Sequence, residues 1–312
     1  MKASELAARL NYDMIGEDHA LIGISYCKEA KPNELAVVRH KAEMAVTQSD
    51  VLLTLPVLVN TKKTLLISYD NIETAIIRVC QVFMEEGILE DYRLPAHLNR
   101  TGTGAFIGEN VKVSQSAEIY PGAVIGNRVS IGKHCVIEPF AVIGSGTVIA
   151  DNVFIGSGSK IGAESFYHSC DKFEGFLHFT GCGRTWIGEG THIGSHTVIQ
   201  RGTISDTVIG SHCMIGNNID IGHDVRIGNY CKIVSQSGIA GNAVLGNHVE
   251  IYGQAGIAND VVIGNGVVVK AKTVVSRTVE DCQVVFGRFG RNYKDELRLA
   301  AKIRHYFSRK DV

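Results

Sequence analysis

The two residues with the clearest chemical promise are His223 and Gly241. A neutral imidazole takes up a proton near neutral pH. A glycine N–H held open on a turn can donate to an oxygen that gains charge during reaction. A base and such a donor side by side form the minimal set for transferring an acyl group to a nucleophile. The two lie eighteen positions apart, so they meet only if the chain returns on itself at that interval. His223 also stands where other parts of the chain carry turn formers: Asn127, Pro139, Ser145, Asp151, Ser157, Ser211, Asn217, Asn229 and Asn247. Imidazole has no comparable turn preference, and at this phase the side chain is expected on the outside of a turn. The pattern sets no serine or cysteine beside His223, which suits direct transfer without an acyl-enzyme.

The interval comes from a hexad. A branched aliphatic residue returns every six positions from Ile107 through Ile161 without a missed beat, and again at Ile187, Ile193 and Ile199. The register stumbles by one residue on each side of Ile204, resumes at Ile209 and holds to Val275. A fixed short period marks a solenoid. The residue after the aliphatic is usually Gly, as in Gly108, Gly126, Gly132, Gly144, Gly188, Gly210, Gly216, Gly228 and Gly264, which predicts a corner needing permissive backbone angles. Two positions before it stand small or β-branched residues such as Ala123, Cys135, Ala141, Thr147, Val153, Cys213, Val225, Cys231, Ala243 and Ala255. Strand alternation turns both phases inward. Each hexad is then a short strand and a turn, three hexads close a coil, and coils stack at roughly 4.8 Å. The expected fold is mainly β: a left-handed parallel β-helix (hexapeptide solenoid) with a small N-terminal α/β domain and a C-terminal helix.

Residues 1–100 lack the hexad and form that α/β domain. Ser4 is expected to cap a first helix through Leu10, residues 21–26, 51–55 and 64–68 to be strands, and Asn71 to cap a helix with Ile72, Ala75, Ile76, Val79 and Phe83 on one face. Pro95 closes the domain. The solenoid domain covers residues 101–277, broken at 162–186 by an excursion carrying Phe166, Tyr167, Phe173, Phe176, Phe179 and Trp186. Such a segment serves either as a subunit-packing arm or as a lid that shapes a pocket. Residues 278–312 form a C-terminal helical segment, with a helix over 292–308 that turns Leu297, Ala300, Ala301 and Phe307 inward and carries Arg298, Lys302, Arg304, Arg309 and Lys310 outside. Its basic end suits the helix dipole or an acidic carrier protein.

The 312 residues are 45% hydrophobic and 20% charged with net charge −1, the balance of a protein with a large core. Near neutrality argues against nucleic acid as the main partner, and no apolar run has the length of a signal peptide or a transmembrane segment. These features predict a cytoplasmic protein. Of the eight cysteines, Cys135, Cys213 and Cys231 fall on the small inward phase, where a thiol acts as a compact hydrophobe, and no CxxC pair suggests a metal.

The hexads, the segment Asn217-Asn218-Ile219-Asp220-Ile221-Gly222-His223-Asp224, the upstream Gln200-Arg201-Gly202-Thr203 and a preceding domain of this size together resemble the UDP-3-O-acylglucosamine N-acyltransferases of lipid A synthesis. The resemblance spans nearly the whole chain, including an aromatic excursion and a C-terminal helix. The hexad is shared by many acyl- and acetyltransferases, whereas the His-bearing segment is more specific. The resemblance implies that His223 is the general base that deprotonates the acceptor amine as it attacks a thioester. It implies that Gly241 donates its N–H to the oxyanion and that Asn217 contacts the acceptor sugar, with Asp220, Asp224, Phe166 and Tyr167 also at the substrate. It further implies a homotrimer with sites between neighbouring solenoids, an amino-sugar nucleotide as acceptor, and an acyl-carrier-protein thioester or acyl-coenzyme A as co-substrate, with no cofactor bound permanently and no metal. The sequence departs from the family twice. Asp260 stands where a second histidine is expected, and residues 33–43 hold no Phe, Tyr or Trp to stack on uracil, so the domain is expected to hold a base weakly or by hydrogen bonds and aliphatic contacts, or to serve another amino sugar, unless Tyr26 or another distant aromatic supplies the platform.

Three other readings compete. An acetyltransferase using coenzyme A on another nucleotide amino sugar shares the base and differs in donor. A zinc lyase needs three histidines around one metal, and His192 and His196 are spaced too closely for it. A non-catalytic scaffold leaves His223 without a reason.

Overall fold

The computed structural model describes residues 1–56, 62–92, 94–95, 98–101, 104–171, 175–287 and 293–308. Hexads 107–161 pair with the next coil at the expected interval, Ile125 with Ile143 and Ile137 with Ile155. The strands of successive coils form three sheets of ten, eight and nine strands, parallel except for the antiparallel edge strand Asn99–Arg100 of the first. Ile125, Ile137, Ile143, Ile215, Ile221 and Ile251 are fully buried, as are the small inward residues Ala123, Cys135, Ala141, Cys213 and Ala243. One continuous aliphatic core therefore runs the length of the prism, and stacked backbone hydrogen bonds close it coil on coil.

Glycine after the aliphatic has a different cause from the one expected. None of these glycines has a positive φ. The left-handed residue falls two places later, at Asn110, Arg128, Asn218, Asp224, Asn242 and their equivalents. What excludes a side chain is the coil above: a Cβ on Gly126 would lie 2.6 Å from the Ser145 nitrogen. The next residue makes a polar ladder. Asn127 accepts from the N–H of Glu109, Asn229 from Ser211, and Asn247 from Asn229, each at 2.8 Å.

Two irregularities interrupt the stack. Between Ile149 and Ile187 the excursion is inserted, and its strands Tyr167–Asp171 and Gly175–Phe179 form an antiparallel hairpin; Phe173 lies outside the described residues. Between Ile199 and Ile221 the coil is four residues longer than the regular coil, and the surplus bulges out at 201–206. Ile204 thus leaves the solenoid core and packs in the N-terminal domain's cluster. At the far end the solenoid continues past 277, because Val284–Val285 pairs with Val268–Val269.

The N-terminal domain has helix α1 (Ala3–Leu10), strands β1 (Asp13–Ile15), β2 (Gly23–Tyr26), β3 (Glu34–Val37), β4 (Val51–Thr54) and β5 (Thr64–Ile67), and helix α2 (Ile72–Glu85). Its sheet order is β1-β5-β4-β3-β2, with only β1 antiparallel. Asn71 caps α2 by accepting from the Thr74 N–H at 2.8 Å. Lys2, rather than Ser4, occupies the N-cap of α1, because Glu5 takes the Lys2 N–H and the Ser4 hydroxyl turns to Asp18. The hairpin docks on α2: Tyr167 and Phe179 join the α2 cluster, Ser169 donates to Asn71 Oδ1 at 2.9 Å, and Arg78 pairs with Asp171 at 3.1 Å. The excursion is therefore an arm that ties the two domains together, and its remaining face rims a cavity. Helix α3 (Tyr293–Ser308) does not turn Leu297, Ala300 and Ala301 inward, since all three are exposed. The side chain of Phe307, and Arg309 and Lys310, lie outside the described residues.

Candidate active site

The strand Asp220–Ile221 pairs with Gly238–Ile239, which sets the turn of Gly241 against His223. A methyl group on Gly241 would lie 2.6 Å from Cε1 and 2.7 Å from Nε2 of the imidazole. The ring therefore rests on a position that only glycine leaves open. At this ladder phase the N–H is usually taken by a side chain one coil on. Among the described residues the Gly241 N–H has no acceptor, although Asn259 stands in the place to supply one. It remains free to donate into the cavity that His223 and Gly241 both line.

His223 is not on the outside of its turn; its ring is folded back and the residue is only 8% exposed. Asp224, also buried, sits at a left-handed corner with φ 58°. Its carboxylate accepts from the Thr203 N–H through both oxygens and from the Ser205 N–H, each at 3.1 Å. Both donors belong to the bulge that lengthens this coil. A carboxylate so occupied acts as acceptor to the imidazole, and the Nδ1–Oδ2 distance is 2.8 Å. That bond fixes the tautomer with the proton on Nδ1 and the lone pair on Nε2. Asp224 is thus placed to orient the imidazole, and it is not among the described residues that line the two cavities, where a substrate contact was expected of it. Tyr167 packs edge-on against the imidazole with centroids 5.4 Å apart; it too is buried, and burial raises its phenol's pKa.

Two adjoining cavities meet at His223. One of about 550 Å³ runs along the outer face of the solenoid, between Phe166 and His168 on the arm and Asp220, Gly238, Ile257 and Asn259. The other, of about 400 Å³, reaches toward the N-terminal domain and touches Arg39, His40, Glu73, Asn242 and Asp260. Phe166, His168, His223 and Asn259 line both. A Cβ on Gly238 or Gly256 would meet nothing within 4 Å, so these outward glycines open a trough beside the imidazole. Phe166 is 70% exposed, with its ring 4.9 Å from that of His168. Burial raises the pKa of Asp220 while a hydrogen bond with Gln200 opposes the shift.

Asn217 is not brought to this site. It is a ladder rung on the preceding corner, accepting from the Ser195 N–H at 2.8 Å. The two departures of the sequence prove to be coupled: the Arg39 guanidinium lies 4.7 Å over the Tyr26 ring and 3.6 Å from the Asp260 carboxylate. Tyr26 is thereby covered and offers no open platform for a base. His192 lies flat on Phe154 at 4.4 Å, and among the described residues no three potential ligands are grouped to hold a metal. Reading the sequence alone missed Asn259, although the same interval that links 223 to 241 leads on to it.

The bacterial transferase hexapeptide family (six repeats) matches residues 104–138, 128–163 and 206–241. Over 79 residues, 25% of this chain, the sequence is 39% identical to a UDP-3-O-acylglucosamine N-acyltransferase of Rhizobium meliloti (strain 1021). Over 81 residues it is 42% identical to the enzyme of that description from Rickettsia bellii (strain RML369-C). These matches span 22% and 23% of the relatives' own length. Among solved structures, the UDP-N-acetylglucosamine O-acyltransferase of Moraxella catarrhalis RH4 superimposes with a TM-score of 0.53 at 26% identity, covering 62% of this chain and 76% of that one. The UDP-N-acetylglucosamine acyltransferase of Francisella novicida gives 0.54 at 24%, covering 63% and 72%, a likeness of fold.

Proposed function

We propose that this hexapeptide-repeat protein is an N-acyltransferase that moves an acyl group from a thioester to the amine of a nucleotide-linked amino sugar. The observation that carries the reading is the imidazole of His223, locked by Asp224 at 2.8 Å with Nε2 beside the unpaired N–H of Gly241. The amine nitrogen attacks the thioester carbonyl while Nε2 takes its proton. The carbonyl oxygen becomes an oxyanion that accepts from the Gly241 N–H. Collapse expels the thiolate, to which the imidazolium returns the proton, leaving an amide and a free thiol. Among the described residues no serine or cysteine lines either cavity, which fits direct transfer. The acceptor's place is the cavity toward Arg39, His40 and Asn242, with Phe166 as an exposed ring at the junction. The relatives named above act on UDP-linked amino sugars, which favours such an acceptor here, in lipid A-type or surface-polysaccharide synthesis. The trough over Gly238 and Gly256 has room for a chain longer than acetyl, which favours an acyl donor over acetyl-coenzyme A. An acyl carrier protein and coenzyme A both supply the thioester chemistry required.

The test is a donor and acceptor matrix read by mass spectrometry, with acetyl-coenzyme A and acyl-carrier thioesters against uridine and thymidine diphosphate amino sugars. An N-acylated product that disappears in His223→Ala supports the reading. Acylation only on oxygen, or undiminished transfer by that variant, would overturn it.

A further inference from the structure

A second cavity on the same solenoid face holds a charge that the transfer chemistry leaves unused. Arg201 is 2% exposed, and among the described residues its side chain makes one hydrogen bond, from Nη2 to the Gly162 carbonyl at 3.0 Å. Nε and Nη1 are buried without an acceptor among the described residues, so the three N–H groups they carry are unpaired, and the guanidinium also lies 5.8 Å over the Tyr92 ring. No carboxylate lies within ion-pair distance of it among the described residues. Leaving a buried guanidinium in this state is costly, and burial lowers its pKa to about 10. It faces a cavity of about 400 Å³ whose other walls include Leu94, Val142, Gly144 and Ile161, with Lys160 and Glu164 on its rim. The cavity shares no lining residue with the two at His223. It lies about two strands, roughly 10 Å, from Asp220 along the sheet.

We propose that this cavity is a separate binding site for an aliphatic monocarboxylate, with the carboxylate on the Arg201 guanidinium and the chain along Leu94 and Val142. The apolar walls exclude a bare inorganic anion as the best occupant, since most of the cavity would stay unfilled. The local charge argues for one negative charge rather than two: Arg201 already feels the carboxylates of Glu164 and Asp91, and Glu164 shares the rim with Lys160. A carboxylate accepts from the free N–H groups and replaces the solvation that burial removed.

Calorimetry on the full chain, with octanoate, octan-1-ol and inorganic phosphate at constant ionic strength, tests the site. Octanoate should bind at millimolar or tighter concentration, with the alcohol and phosphate at least tenfold weaker. Val142→Phe, which fills the cavity and keeps Arg201, should weaken octanoate at least tenfold without changing the melting temperature. Arg201→Met should do the same if it folds. Absence of octanoate binding, tighter binding of phosphate, or binding that survives Val142→Phe and vanishes in His223→Ala would each overturn the proposal. The last outcome would put the carboxylate in the transfer cleft.

Discussion

At the scale of single residues, the proposed chemistry rests on one imidazole that is hydrogen-bonded to its neighbour Asp224. His223→Ala should lower kcat by about two to four orders of magnitude, the range general-base catalysis supplies. It should also cost some stability, on the order of 1 kcal/mol, because the buried Asp224 loses one hydrogen-bond partner. Steady-state kinetics and a thermal melt check both, and a variant that keeps a tenth of the activity would remove His223 from its role. Asp224→Asn keeps the shape and should still cost roughly a hundredfold in kcat or more, since the amide can present N–H to Nδ1 and so reverse the tautomer. An unchanged rate would mean that the 2.8 Å contact does no orienting. Gly241→Ala places a methyl 2.6 Å from the imidazole. It should abolish turnover while the far-ultraviolet dichroism stays that of wild type.

At the scale of the element, the site lies where the repeat is broken. The regular coils supply only straight walls and a ladder of side chains capping N–H groups. The bulge at 201–206 supplies the donors that hold Asp224, and the arm at 162–186 supplies Phe166, Tyr167 and His168. The glycines separate the two roles experimentally. Gly126→Ala drives a Cβ to 2.6 Å from the Ser145 nitrogen and should destabilise by about 1–3 kcal/mol, the usual cost of overpacking. Gly238→Ala points into open space and should stay within about 0.5 kcal/mol of wild type in a denaturant melt. Equal effects would contradict the packing described for these two phases. The hexad made the solenoid legible in the sequence, because six-residue spacing has few structural solutions, and counting coils paired His223 with Gly241. The placement of Asp224 was not legible: its partners Thr203 and Ser205 sit in a bulge that departs from the period. The burial of His223 and the Arg39–Asp260 pair were hidden for a related reason, since both depend on how the arm and the N-terminal domain close over the solenoid. No local pattern encodes that closure.

At the scale of the whole molecule, the single chain is left with apolar surface that asks for cover. Outward residues of the sheets include Val262 at 43% and Val274 at 78% exposure, and Phe286 beyond them is 67% exposed. Helix α3 carries Leu299, Ile303 and Tyr306 at a spacing that puts them on one stripe, yet Ile303 and Tyr306 are 37% and 57% exposed. An amphipathic helix of 16 residues is marginal in water on its own, and packing against copies of itself would bury the exposed Ile303. A three-sided prism offers equivalent faces to a threefold arrangement, closed as point symmetry requires. We therefore expect light scattering to give three times the 33.8 kDa of one chain. Truncation after Gly287 should shift the oligomer toward smaller species at low concentration and leave the melting of the solenoid in place. A stable monomer of the full chain at micromolar concentration would refute the trimer, and with it any contribution of a neighbouring copy to the cleft at His223. A trimer that survives the truncation unchanged would instead locate its interface on the sheet faces, and α3 would then need another partner.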